Sequence, residues 1–278
     1  MEETVSNKKE PKAKPEEKEM SFWDHMEELR RHIIRSVLAI FILSIGAFIG
    51  RKFIFDGIIL APTHSDFVTN QFFCWIGTFL HIGNLCMDNI ELKIVNLNMS
   101  GQFTTHVYIS MAAGLIVGIP YIVWEFWRFL RPALKKKERR MARIGAGVVS
   151  LLFIVGVLFG YYVIVPLTVN FFGGYQVSDL VANQISLTSY ISTVVSATFA
   201  SGIVFELPVV VFFLVRIGLI TPAYLKRTRK YMLVIILTIA AVITPPDVFS
   251  QILVSIPLYG LFEISIWVAS RALKEKAA

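Results

Sequence analysis

The feature that most constrains this chain is a series of six apolar runs, most of them as long as a lipid bilayer is thick, separated by polar or charged connectors. They cover about residues 33–50, 107–127, 144–166, 191–215, 231–244 and 251–270. A helix rising 1.5 Å per residue needs about 20 apolar residues to cross a hydrocarbon core of roughly 30 Å. The first four runs meet that length with some tilt. The fifth, closed by Thr244-Pro245-Pro246, reaches only about 20 Å and would thin the bilayer locally or leave a notch. Pro257 is expected to shorten the regular part of the sixth. Composition agrees: 55% of the residues are hydrophobic and 17% charged, against roughly 45–50% and about 25% in soluble domains. The expected fold is an all-α integral membrane protein with six transmembrane helices, the fifth and sixth short. The membrane domain would occupy residues 21–271, between tails at 1–20 and 272–278.

Charge decides the orientation. Of 27 lysines and arginines, 24 fall in the tails and in the connectors that share one side of the expected bundle, and 3 in the connectors of the other side. By the positive-inside rule both termini are cytoplasmic. The net charge of +7 is then a consequence of topology, and nucleic-acid binding is unnecessary to explain it. Residues 1–20 hold eleven acidic or basic residues and two prolines, too little apolar surface to offset ordering entropy, and read as a disordered tail. They lack the apolar run and cleavage site of a secretory signal peptide. Internal repeats are not evident, which weakens an inverted-repeat transporter reading. Two cysteines without a Cys-x-x-Cys pair and five scattered histidines leave no zinc or iron–sulfur framework.

Four acidic positions stand out. Ser21 to Arg31 begins an amphipathic helix, with Phe22, Trp23, Met26 and Leu29 at helical spacing and Glu27, Glu28, Arg30 and Arg31 between them. It reads either as an interfacial anchor or as an acidic docking surface just outside the membrane. His25, Glu28 and His32 share its face, but the two histidines lie about 10 Å apart along the axis, too far for one ion. Glu138 is the lone acid among eight basic residues in the connector after the second run, and is either an exposed intraloop ion pair or a binding group. Glu206, in Phe205-Glu206-Leu207-Pro208, lies mid-span, where an ionisable residue is costly and a functional candidate by default. The bland alternative is a protonated Glu206 bonding backbone carbonyls freed by Pro208. Glu263 is expected to snorkel or to pair with Arg271. No nucleophile elbow, His-Glu-x-x-His or phosphate loop occurs, so no enzyme chemistry is indicated.

Three stretches resemble one family. His25-Met-Glu-Glu28-Leu-Arg30 is similar to its amino-terminal motif. Pro120 through Trp127-Arg-Phe129-Leu-Arg-Pro132-Ala-Leu134 to Glu138-Arg139-Arg140 is similar to its second span and first cytoplasmic loop. Phe205-Glu206-Leu-Pro208, Lys226-Arg-Thr-Arg-Lys-Tyr231 and Thr244-Pro-Pro-Asp247 through Gln251 are similar to its second half. The family is TatC, the multi-span core subunit of the twin-arginine protein translocase, and the resemblance runs from Ser21 to Ala269. It implies a receptor for signal peptides bearing paired arginines, in the cytoplasmic (inner) membrane, that starts export of folded proteins on the proton-motive force without a cofactor. It further implies that Glu28 and Glu138 form the acidic site, with Phe129 and Leu134 as apolar neighbours and Arg30 as support. Glu206 would contact single-span partner subunits of the TatA and TatB type, and the chain would self-associate in the receptor complex. Pro62 and Asp247 would lie in the outer loops. The tail before Ser21 and the long connector 51–106 are additions to the family pattern.

The chemistry suits that role independently. Guanidinium presents a planar donor fork that carboxylates match, and isolated acids on a basic surface become docking points for it. The alternatives are a proton-coupled transporter with Glu206 as carrier, for which only Ser196, Thr198 and Ser201 lie near, and a membrane scaffold without a ligand. Cys74 and Cys86 fall on the extracytoplasmic side, where a disulfide persists. Two free thiols against the outer headgroups are the alternative.

Overall fold

The computed structural model describes residues 22–64, 66–80, 93–131, 136–178, 183–245 and 247–277. Helix α1 (Phe22–Ile49) is unbroken, so the amphipathic start and the first apolar run are one element. A short α2 (Arg51–Ile54), a π turn over Phe55–Ile59 and a 3-10 turn over Ala61–Thr63, holding buried Pro62, lead to α3 (Val68–Leu80). Then come β1 (Ile94–Val95), α4 (Gly101–Leu130) and α5 (Lys136–Phe159). A π turn over Gly160–Ile164 carries α5 into α6 (Val165–Gly174). After β2 (Ile185–Ser186) follow α7 (Leu187–Val204), α8 (Leu207–Arg216), α9 (Pro222–Arg227), α10 (Arg229–Ile243) and α11 (Val248–Ala277). The two strands pair in parallel, Ile94 opposite Ile185, and tie two connectors together.

Five helical stretches among the described residues are long and apolar enough to cross a bilayer: His25–Ile49, Gly101–Leu130, Ile144–Gly174, Leu187–Arg216 and Val248–Arg271. The chain is thus a helical, multi-pass membrane protein. At 15 residues, α10 falls short of that length. The sixth apolar run is not short: α11 passes through Pro257 without interruption, held across the lost hydrogen bond by Val254, Leu258, Phe262 and Ile266 in the core.

Two further expectations are corrected. The third run does not end at Pro166. Proline there strands the carbonyl of Tyr162, four residues back, and the Thr69 hydroxyl of α3 donates to it. With that carbonyl served, the helix continues to Gly174. The fourth run is not one helix, because α7 stops at Val204, Phe205 and Glu206 form a turn, and α8 restarts with Pro208 in its first turn, where a missing N–H costs nothing.

The core is built around α7, which packs on α5 at backbone distance. A Cβ added to Gly156 would stand 2.8 Å from the Ser201 carbonyl and 2.9 Å from Gly202 Cα, and one on Gly160 would stand 2.9 Å from Thr198 Cα. Small residues let membrane helices approach so closely. Ile164, Val165, Ile191, Val194, Val254 and Phe262 fill the surrounding space. Asp247 caps α11, accepting from the amides of Ser250 at 2.7 Å and Phe249 at 3.3 Å. Burial pushes its carboxyl up, but the Ser250 hydroxyl and these two amides together hold it below its ordinary value.

The α5–α7 contact predicts that Gly156→Ala destabilises the protein by about 1–3 kcal/mol, since backbone must move to admit one methyl. Gly147→Ala on the same helix meets nothing within 4 Å and should change stability by less than about 0.5 kcal/mol. Thermal unfolding of both variants in detergent reads the difference, and equal melting temperatures would contradict the packing described.

Candidate functional site at the basic end of the bundle

The end of the bundle where α1 starts, α4 and α8 finish and α10 begins carries most of the chain's basic residues. Here α1 lies against α4. Glu27 and Glu28 are neighbours in sequence but not in circumstance. Exposed Glu27 accepts from Arg31 one helical turn on, at 2.6 Å. Glu28 is half-buried, and its Oε2 is enclosed with no hydrogen-bond partner among the described residues. Arg30 is exposed. Phe129, on the last turn of α4, stacks face to face with His25 of α1, ring centroids 4.5 Å apart and planes at 22°.

Below that stack lies a polar cluster that the sequence reading did not single out. Glu125 is 2% exposed and His32 7% exposed. The His32 Nδ1 is hydrogen-bonded to Glu125 Oε2, and the Tyr121 hydroxyl donates to Oε1 at 3.0 Å. The Arg128 guanidinium, largely exposed itself, reaches Oε1 at 3.9 Å. His32 also meets Phe129 edge-on at 6.0 Å. The two histidines, too far apart for one metal ion, thus both abut Phe129. A signal was available in the spacing Tyr121, Glu125, Arg128, which puts an acid with a donor one turn on either side at the end of an apolar run. Its partner His32 lies 93 positions away and had no local signature.

Nearby, Trp127 of α4 stacks on Phe213 of α8 at 5.7 Å. Glu263 pairs with Arg229 of α10 at 2.7 Å rather than with Arg271, whose guanidinium instead lies 3.7 Å over the Trp267 ring. Glu138 belongs to the first turn of α5 rather than to a loop, since that helix begins at Lys136. Leu134 lies outside the described residues.

The other expected positions are elsewhere. Glu206 sits in the turn between α7 and α8, half-buried, its Oε1 without a hydrogen-bond partner among the described residues. The hydroxyls of Thr198 and Ser201 are shut into the α5–α7 contact and also lack a partner among the described residues. Pro62 and Asp247 lie at the opposite end. Cys74 is disulfide-bonded, and Cys86 lies outside the described residues. Among the described residues no three His, Cys, Asp or Glu side chains gather as a metal site.

Residues 24–257 match the family model described as Sec-independent protein translocase protein (TatC). The chain is 38% identical over 265 residues to the Sec-independent protein translocase protein TatC of Blattabacterium sp. subsp. Periplaneta americana, covering 95% of this chain and all of that one. It is 34% identical to the protein of the same name from Aquifex aeolicus, covering 92% and 98%. A crystal structure of a twin arginine translocase receptor, TatC, superposes with a TM-score of 0.64 at 35% identity, over 90% of this chain and 99% of that one. With nearly full coverage both ways and a shared fold, the chain belongs to the TatC family of Sec-independent protein translocase proteins.

Proposed function

We propose that the chain is the signal-peptide-binding core subunit of a twin-arginine translocase, exporting folded proteins on the proton-motive force. In this reading it crosses the cytoplasmic membrane six times, α10 making a short fifth crossing, with both termini inside. The charge asymmetry supports the orientation. The observation that carries the receptor reading is the contrast between two adjacent carboxylates: Glu27 is already taken by Arg31, while Glu28, one helical turn from the His25 that stacks on Phe129, keeps an enclosed oxygen without a donor among the described residues. A guanidinium supplies the missing donors in a planar fork, and an aromatic face beside it favours arginine over the more strongly hydrated ammonium of lysine. Glu138, at the start of α5, would supply the second acceptor, with Leu134 beside it and Arg30 steadying α1. The peptide's apolar stretch would then run along α4 and α7.

Charge-assisted bonds sheltered from water contribute roughly 1.5–3 kcal/mol each, so Glu28→Gln or Glu138→Gln should weaken binding of a twin-arginine signal peptide roughly 10- to 100-fold. Glu27→Gln changes the same charge and should cost less than about threefold, as expected of an exposed pair. Equal losses in all three, read by peptide titration in nanodiscs, would reduce the effect to bulk charge.

Glu206 is proposed as the intramembrane contact for the single-span partner subunits, on the strength of its unpartnered oxygen at a helix break. Glu206→Ala should cut crosslinking to those subunits several-fold and leave peptide binding within about twofold, while Glu206→Gln, which keeps hydrogen-bonding capacity, retains most assembly. Loss of proton-driven transport in both variants with assembly intact would favour a proton carrier instead.

Cys74 is proposed to pair with Cys86, the chain's other cysteine, fastening connector 51–106 with roughly 3 kcal/mol in the chain-entropy description. Denatured, unreduced protein should show no reactive thiol. Two reactive thiols would exclude the bond.

A further inference from the structure

The buried polar cluster at the basic end has no part in the receptor role as stated so far. Glu125 is shielded from water as completely as the apolar core, and a carboxylate so placed must find its partners inside the protein. Tyr121 and Arg128 come from its own helix, so they travel with it. His32 comes from α1, and its Nδ1 reaches Glu125 Oε2 only when the two helices dock in one register and one rotation. Sliding α1 by one residue would turn His32 by about 100° around the helix and strand the carboxylate.

That register matters because of what lies one turn away. Glu28 precedes His32 by four residues on α1, and Phe129 follows Glu125 by four residues on α4, so both pairs share a face one turn closer to the helix ends. The His32 ring edge bears on Phe129, and the other contact of Phe129 with α1 is the stack with His25. A chain of direct contacts therefore runs from Glu125 through His32 and Phe129 to His25, one helical turn from Glu28, whose Oε2 has no partner among the described residues.

We propose that Glu125 and His32 are positioning residues: their buried hydrogen bond holds α1 and α4 in the one register that presents Glu28 and Phe129 together to a guanidinium, and so sets the preference for arginine over lysine. The inference rests on the receptor reading above and adds to it a pair that never touches the peptide. A mere clamp between helices would alter stability, and would alter affinity for any basic peptide alike. A register pin alters the ratio of the two affinities, because the planar fork needs acceptor and aromatic face in fixed relation while a flexible ammonium does not.

The test uses the full chain in nanodiscs and two synthetic signal peptides, one with paired arginines and one with paired lysines at the same positions. His32→Leu removes the donor at similar volume and should lower affinity for the arginine peptide about tenfold while changing the lysine peptide less than about threefold. His32→Asn keeps an N–H near the position of Nδ1 and should restore the ratio to within about threefold of the wild type. Glu125→Asp keeps the charge and withdraws it by one methylene, the change least disturbing to folding, and should lower the ratio at least about threefold. If His32→Leu does not fold, Glu125→Asp and His32→Asn decide the matter. An unchanged ratio in folded His32→Leu or Glu125→Asp, with lowered melting temperature, would make the pair a structural clamp and overturn the proposal while leaving the receptor reading in place. If the wild type itself binds both peptides equally, the receptor reading falls and this proposal with it.

Discussion

Hydrocarbon offers a backbone carbonyl no hydrogen-bond donor, and leaving one bare there costs several kcal/mol, so a chain that breaks its helices inside a membrane must find donors elsewhere in itself. The opposite end of this bundle is organised by that demand. Pro166 strands the Tyr162 carbonyl, and Thr69, carried by a helix outside the main spans, folds back to serve it. The hydroxyls of Tyr161 and Tyr190 donate to the carbonyls of Ile58 and Ile59, each at 2.6 Å, where the π turn after α2 ends. Phe67 packs against both Tyr161 and Tyr162. The long first connector is thereby bound to the π turn over Gly160–Ile164 and to α7, with Pro62 buried at the join.

At the basic end the same demand falls on side chains. Glu125 meets it with His32 and Tyr121, and the bond to α1 is part of the solution. Most of α1 faces outward, and α4 is the helix it chiefly packs against. Among the described residues, Glu28 on α1 and Glu206 at the α7–α8 break each leave an oxygen without a hydrogen-bond partner. Under the proposed receptor role, these two open acceptors are where other chains would bind. Both oxygens of Glu125 are supplied where α1 and α4 meet, whereas the hydroxyls of Thr198 and Ser201 stay unpartnered among the described residues inside the close α5–α7 contact.

Much of this was legible beforehand. Apolar runs separated by charge marked the long helices, because length and hydropathy are local properties, and the asymmetry of lysine and arginine separated the two ends. Local rules failed where a remote residue answered them. Pro166 should have ended a helix, and did not because Thr69 supplies a donor to the Tyr162 carbonyl from 93 positions away. Pro257 should have shortened another, but the packing of Val254 and Phe262 outweighs one missing bond. Glu263 was expected to snorkel or to use Arg271 two turns along its own helix, whereas Arg229 comes to it from α10. His25 and His32 were weighed as metal ligands along one helix, while their actual common partner is Phe129 on another. The amphipathic start marked Glu28 as a candidate docking acid beside the reading as an interfacial anchor, but only the fold separates it from Glu27, whose carboxylate Arg31 occupies.

The central claim is that paired arginines are received at the α1–α4 cleft of the basic end. It is tested most directly by a signal peptide carrying a photoreactive residue immediately after its second arginine, bound to the full chain in nanodiscs, crosslinked and mapped by mass spectrometry. Crosslinks are expected to concentrate in residues 25–32 of α1 and 125–131 at the end of α4, and to be competed away by unlabelled arginine peptide. Crosslinks falling instead on α10 and α11, or at the opposite end around the π turn and α3, would contradict it.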